Sequence, residues 1–162
     1  MKQKGFTLIE LIIVIVVLGI LAVTAAPQFI NFSSDAREST VKGAQASIQG
    51  AMQLVYAKSL IDGDDGEPTG TVTTEGGDVS TVYGYPAAKG VDPAGGIQLA
   101  AGISGSEWDI DDTTSGEITF SPKGAATGCS VTYTQAEEVT SSGSSTITPA
   151  KVSVAPNLED NC

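Results

Sequence analysis

The chain has 162 residues, room for one globular domain plus a helical anchor, and carries a net charge of −11 with no histidine. Acidity on that scale repels phosphate backbones and disfavours nucleic acid as a partner. The missing imidazole removes the commonest general base, metal ligand and pH switch. No Walker loop, dinucleotide fingerprint or paired zinc motif stands in for it, so neither catalysis nor a cofactor is expected.

Met1-Lys2-Gln3-Lys4-Gly5 reads as a basic leader, too short for a secretory signal, whose two lysines would hold that end in the cytoplasm. Behind it, Phe6-Thr7-Leu8-Ile9-Glu10 opens an apolar stretch running to Ala26 in which Glu10 is the one charged residue. A carboxylate inside hydrocarbon is costly, so its presence there points to a use. From Leu8 to Ala26 the helical rise covers about a bilayer core. A secretory signal cleaved near Val23-Thr24-Ala25 is the alternative, weakened by Glu10 and by the amphipathic sequence that follows. Pro27 should interrupt the hydrogen-bond ladder near Thr24 and kink the helix, and Gly19 is a second weak point. Gly19, Ala22, Ala25 and Ala26 would let helix backbones approach closely, as a helix packing on its own copies requires.

Helical spacing resumes over 28–60. Val41, Ala44, Ile48, Ala51, Met52 and Val55 recur at three- and four-residue steps, with Lys42, Gln45, Gln49 and Gln53 on the other side. Gly43 and Gly50 share one face, where they would admit a sheet. One helix from Phe6 to Leu60 would be roughly 80 Å long, with its first half an anchor and its second half covering a domain. It should fade into Asp62-Gly63-Asp64-Asp65-Gly66-Glu67-Pro68, which is full of turn signals. That acidic run lacks EF-hand spacing and reads as a solvated turn; calcium stays open as the other reading.

Residues 61–105 read as a long, partly structured loop with a short helix around 94–102. Strand signals follow at Glu107 to Ile110, Glu117 to Ser121, Cys129 to Gln135 and Thr146 to Val154, spaced for an antiparallel meander on one helix face. Ser141-Ser142-Gly143-Ser144-Ser145 is a hairpin tip, and Trp108 is expected to anchor sheet packing. Cys129 and the terminal Cys162 are too far apart for a redox pair and, without histidine, make a poor zinc site. A disulfide tying the C-terminus to the domain is the expected use; two buried free thiols are the alternative.

The junction Gly5-Phe6-Thr7-Leu8-Ile9-Glu10 and the stalk behind it resemble type IVa pilins. Gly19 to Phe29, Ser33-Ser34-Asp35-Ala36, Cys129-Ser130-Val131-Thr132-Tyr133-Thr134 and Cys162 resemble the mannose-sensitive haemagglutinin (MSHA) pilin subgroup within them. The resemblance implies an α+β fold: a long N-terminal helix on a C-terminal antiparallel sheet head with one disulfide. It divides the chain into a leader (1–5), a membrane and polymerisation helix (6–27), the amphipathic half of the helix (28–60), an αβ-loop (61–105) and the sheet with a disulfide-bounded C-terminal region (106–162). It further implies cleavage between Gly5 and Phe6 by a prepilin peptidase and N-methylation of Phe6. Assembly through inner-membrane machinery into an extracellular helical filament of identical subunits, serving attachment and biofilm formation, would follow. The freed Phe6 amine would then lie one helical turn from Glu10, and in a bundle Glu10 can neutralise a neighbour's amine. A major pseudopilin of a type II secretion system shares the leader, Glu10 and the stalk, and is the rival reading; a tethered domain that never polymerises is a third.

Overall fold

The computed structural model describes residues 6–25, 28–141 and 143–162. Two helices lead the chain, α1 (Leu8–Ala25) and α2 (Gln28–Asp62), so Gly5 and Pro27, with the kink expected there, lie outside the described residues. Helix α2 is 35 residues, about 52 Å, and the repeat predicted for it is its buried stripe. Val41, Ala44, Ile48, Ala51 and Val55 are all buried, Met52 is half-buried, and Ser59 continues the line. It stops at Gly63, whose φ of 83° suits the left-handed residue after a helix. The Gly63 and Asp64 amides both donate back to the Ser59 carbonyl, at 2.9 and 3.0 Å, satisfying an end carbonyl.

Among the described residues nine strands follow in three antiparallel groups. β1 (Gly70–Thr74), β2 (Gly77–Val82) and β3 (Tyr85–Pro86) form one sheet in that order. β4 (Trp108–Asp111), β5 (Glu117–Pro122), β6 (Val131–Thr134) and β9 (Lys151–Val154) form the second, in the order β4-β5-β6-β9. β7 (Glu137–Ser141) and β8 (Ser144–Thr148) make a separate hairpin inserted between β6 and β9. Short helices α3 (Ile97–Ala100) and α4 (Leu158–Asn161) complete the chain. The result is an N-terminal helix, antiparallel sheets in the C-terminal part and one disulfide.

The core lies between α2 and the four-stranded sheet. Alternation in β5 and β6 buries Ile118, Phe120, Val131 and Tyr133 against Val41, Ala44 and Ile48, with Ile97 of α3 closing the side. Trp108 and Ile110 of the edge strand β4 are half-buried against the same cluster, as the anchoring role expected of Trp108 requires, while Asp109 and Asp111 point outward. Val55, Val72 and Val79 form a smaller cluster under β1 and β2.

Within 61–105 the strands β1 to β3 and the short helix α3, the latter inside the 94–102 window, stand among turns and loops. The Thr/Val pattern of 70–74 and 79–82 pairs as a hairpin through the two-residue turn Glu75-Gly76, a signal the surrounding glycines and prolines concealed. Two expectations are corrected. Thr146 to Val154 is not one strand: Pro149 ends β8, and buried Ala150 precedes β9, which joins a different sheet. Gly43 and Gly50 face solvent, and a Cβ on either would meet nothing within 4 Å, so they admit no sheet.

Tyr133 joins the two larger sheets. It is fully buried, and its hydroxyl donates to the Pro86 carbonyl at 2.6 Å. Burial first, then the neighbouring Tyr85 phenol, push its ionisation well above the ordinary tyrosine value. An unfolded tyrosine ionises near about pH 10, so stability from neutral Tyr133 is fully present below that pH. It is lost as the pH rises further, because the unfolded chain releases a proton the native chain retains. The unfolding midpoint should therefore fall above about pH 10, by up to about 1.4 kcal/mol per pH unit from this group. Tyr133→Phe should flatten that fall while costing about 1–3 kcal/mol at neutral pH, since it strands the Pro86 carbonyl. Denaturant titrations of both proteins from pH 7 to 12 check the two effects together.

Candidate functional site: the N-terminal helix

Helix α1 is built almost entirely of branched aliphatic residues, and the large apolar ones from Leu8 to Val23 are all exposed. Phe6 is 87% exposed, and from Leu8 to Val23 no large apolar residue is less than 47% exposed. A continuous apolar cylinder of this kind is not stable in water and marks a surface that lipid or other protein must cover. Its 18 residues span about 27 Å, and no described helix is long and apolar enough to cross a membrane. α1 runs unbroken through Gly19, where an added Cβ would meet nothing within 4 Å. The space beside Gly19 is thus free for an external helix.

Glu10 sits in the first turn of α1, and its own chain already engages it. Its carboxylate accepts from the Thr7 amide at 3.0 Å and from the Thr7 hydroxyl at 2.8 Å, while the Glu10 amide leans toward the Thr7 hydroxyl at 3.4 Å. This is a reciprocal capping box, with Thr7 as cap and Glu10 at the third helical position. It satisfies end donors that hydrocarbon could not satisfy. The pattern Thr7-x-x-Glu10 before an apolar run carried that signal in the sequence, and reading Glu10 only as an intermolecular charge missed it. The carboxylate also favours the positive end of the helix dipole.

The other predicted positions lie in the head. Cys129 and Cys162 are bonded, with Cα atoms 4.8 Å apart, and Cys129 is fully buried. The acidic run is divided among structural tasks: Asp62 pairs with Lys58, and the Glu67 carbonyl receives the Tyr83 amide at 3.0 Å. Of the acids at the end of β4 and just after it, Asp111 accepts from Thr113, which holds its carboxyl below the usual range, and Asp112 pairs with Lys89 at 2.7 Å. Among the described residues no group of carboxylates or cysteines is placed to hold a metal ion.

An apolar, capped, exposed helix thus precedes a disulfide-closed antiparallel head. Residues 1–26 match the family described as the prokaryotic N-terminal methylation motif. The chain is 32% identical over 145 residues to the type IV major fimbrial protein FimA of Dichelobacter nodosus, covering 85% of this chain and 86% of that protein. It is 29% identical over 140 residues to the type IV major pilin protein PilA of Myxococcus xanthus, covering 77% and 62%. A shorter match, 40% over 53 residues and 33% and 37% of the two chains, is to type II secretion system core protein G of Pseudomonas aeruginosa. No solved structure matches the chain significantly. The chain belongs to the type IV pilin family, and these relatives are structural subunits, not enzymes.

Proposed function

We propose that this chain is the structural subunit of an extracellular type IV pilus that polymerises through α1 and serves surface attachment and biofilm formation. The observation carrying this reading is α1 itself, apolar on every face, with a carboxylate in its first turn and its large apolar residues exposed. Before assembly the precursor is a single-pass inner-membrane protein. The shortfall between about 27 Å of helix and about 30 Å of hydrocarbon is small enough for local bilayer thinning. The N-terminal motif supports processing by a prepilin peptidase and methyltransferase at the Gly5–Phe6 junction, followed by handling by the inner-membrane assembly machinery. Within the family we place the chain in the mannose-sensitive haemagglutinin subgroup, on the stalk and Cys129-Ser130-Val131-Thr132-Tyr133-Thr134 segments quoted above.

Fibres sheared from the cell surface should yield a subunit beginning at Phe6 and heavier by one methyl group in intact-mass analysis. A mature N-terminus at Ala26, or retention of Met1, would refute the reading. The similarity to the secretion-system core protein favours one alternative, a major pseudopilin working as part of a secretion piston. The correctly processed subunit would then be missing from sheared surface material while secretion failed in its absence.

A further inference from the structure

Helix α1 starts just past the junction at which the leader is expected to be cut. Phe6 and Thr7 lie outside the helix, and its first residue is Leu8. The first helical backbone bond runs from the Leu11 amide to the Thr7 carbonyl, at 3.4 Å. A helix continued toward the leader in the same register would next join the Glu10 amide to the Phe6 carbonyl. One step further, the Ile9 amide would join the Gly5 carbonyl, the group that cleavage must attack. Where α1 begins therefore decides whether the scissile bond falls inside or outside the first turn.

The Thr7 side chain enters that competition directly. Its hydroxyl lies 3.4 Å from the Glu10 amide, the donor that the Phe6 carbonyl would otherwise receive. The Glu10 carboxylate holds the Thr7 amide at 3.0 Å, so that donor too is turned away from a longer ladder. Threonine is a good residue at a cap position, where valine or alanine is poor. The surroundings push the other way. In hydrocarbon a chain gains by closing every backbone bond internally, so a helix extends there unless something stops it. Phe6, 87% exposed, is left clear of the turn.

We propose, resting on the pilus reading, that Thr7 is a positioning residue for leader removal. By starting α1 at Leu8 it keeps the Gly5–Phe6 bond outside the helix and open to the peptidase. Hydrolysis adds one water across that bond, leaving a carboxyl group on Gly5 and an amine on Phe6. The water must reach the carbonyl carbon, and the carbonyl oxygen must accept donors from the enzyme as it gains negative charge. A Gly5 carbonyl already bonded to the Ile9 amide within a turn offers neither. Thr7 acts here through the Glu10 amide, not on the reacting atoms. Glu10→Ala leaves the Thr7 hydroxyl and the amide it faces in place, so cleavage depends on Thr7 far more than on the Glu10 carboxylate.

The test follows the full-length precursor by pulse labelling in a cell that processes it, scoring the rate of leader loss per membrane-inserted chain. Thr7 is exposed and its side chain bonds within the first turn, so substitutions there leave the head intact. Thr7→Val keeps the shape, removes the hydroxyl and should slow cleavage at least about fivefold. Thr7→Ser and Thr7→Asn differ from each other in shape but both cap well, and should stay within about twofold of the wild-type rate. As a second measurement, Cα chemical shifts of the precursor in detergent micelles should place Phe6 inside the helix in Thr7→Val and outside it in Thr7→Asn. Cleavage of Thr7→Val at the wild-type rate, Thr7→Asn as slow as Thr7→Val, or Phe6 outside the helix in a slowly cut Thr7→Val would each overturn the assignment. Equal cleavage of all these variants removes this proposal alone; a wild-type precursor never cut after Gly5 removes it together with the pilus reading.

Discussion

Cys162→Ser is expected to lower the stability of the head by about 3–4 kcal/mol, the loop-closure entropy that a link across 33 residues removes from the unfolded chain. A domain of this size is stable by about 5–15 kcal/mol in all, so the loss should shift the denaturation midpoint visibly and reduce accumulated subunit. The location adds to the entropy argument. Cys129 is fully buried beside Val131, and the bond draws α4 across Gly128, where a Cβ would meet the Asn161 side chain at 3.0 Å. Leu158, 6% exposed, is thereby seated in the main core next to α2. Cys162→Ser is the cleaner variant, because Cys129→Ser would also leave a hydroxyl in a fully buried position. Two free thiols in peptide maps of the exported protein, or a midpoint shift worth less than about 1 kcal/mol, would contradict the assigned role.

Legibility in the sequence followed the strength of local periodicity. The stripe from Val41 to Val55 was readable because one helix face repeats for several turns over a single core. β5 and β6 were readable because Ile118, Phe120, Val131 and Tyr133 alternate strictly with polar residues. The β1–β2 hairpin was not, since only Val72 and Val79 are apolar and fully inward, too few to stand out among threonines and glycines. β7 was missed for a related reason: with both faces wet, no buried alternation constrains Glu137 to Ser141. Gly43 and Gly50 were misassigned because seven-residue spacing fixes that two residues share a face but not which face is buried. At the N-terminus the reverse held. Glu10 was legible as a functional residue from its chemistry, yet its partner within the chain, Thr7, emerged only with the geometry of the first turn.

Glu10→Ala is expected to leave leader cleavage intact while reducing surface fibres to below about a tenth of the wild-type yield per processed subunit. Two mechanisms could produce a loss, and they separate by substitution. If Glu10 mattered only as half of the capping box, Glu10→Gln would be nearly silent, since glutamine closes the same reciprocal bonds. Thr7→Ala would then be as damaging as Glu10→Ala, because it removes the hydroxyl that Glu10 uses. If Glu10 neutralises the Phe6 amine of a neighbouring subunit, the order changes. Glu10→Gln should then fail nearly as completely as Glu10→Ala, while Thr7→Ala, which keeps the charge, should assemble at an intermediate level. The second order is expected. In the separate subunit the Thr7 bonds suffice to hold the carboxylate, and the amine remains at the edge of the bilayer where water reaches it. Inside a packed bundle the amine has neither water nor another anion nearby, so the charge of Glu10 is needed only there, and again at every subunit added. Normal fibres from Glu10→Gln with normal processing would reject the neutralisation mechanism and leave the capping box as the whole role of Glu10.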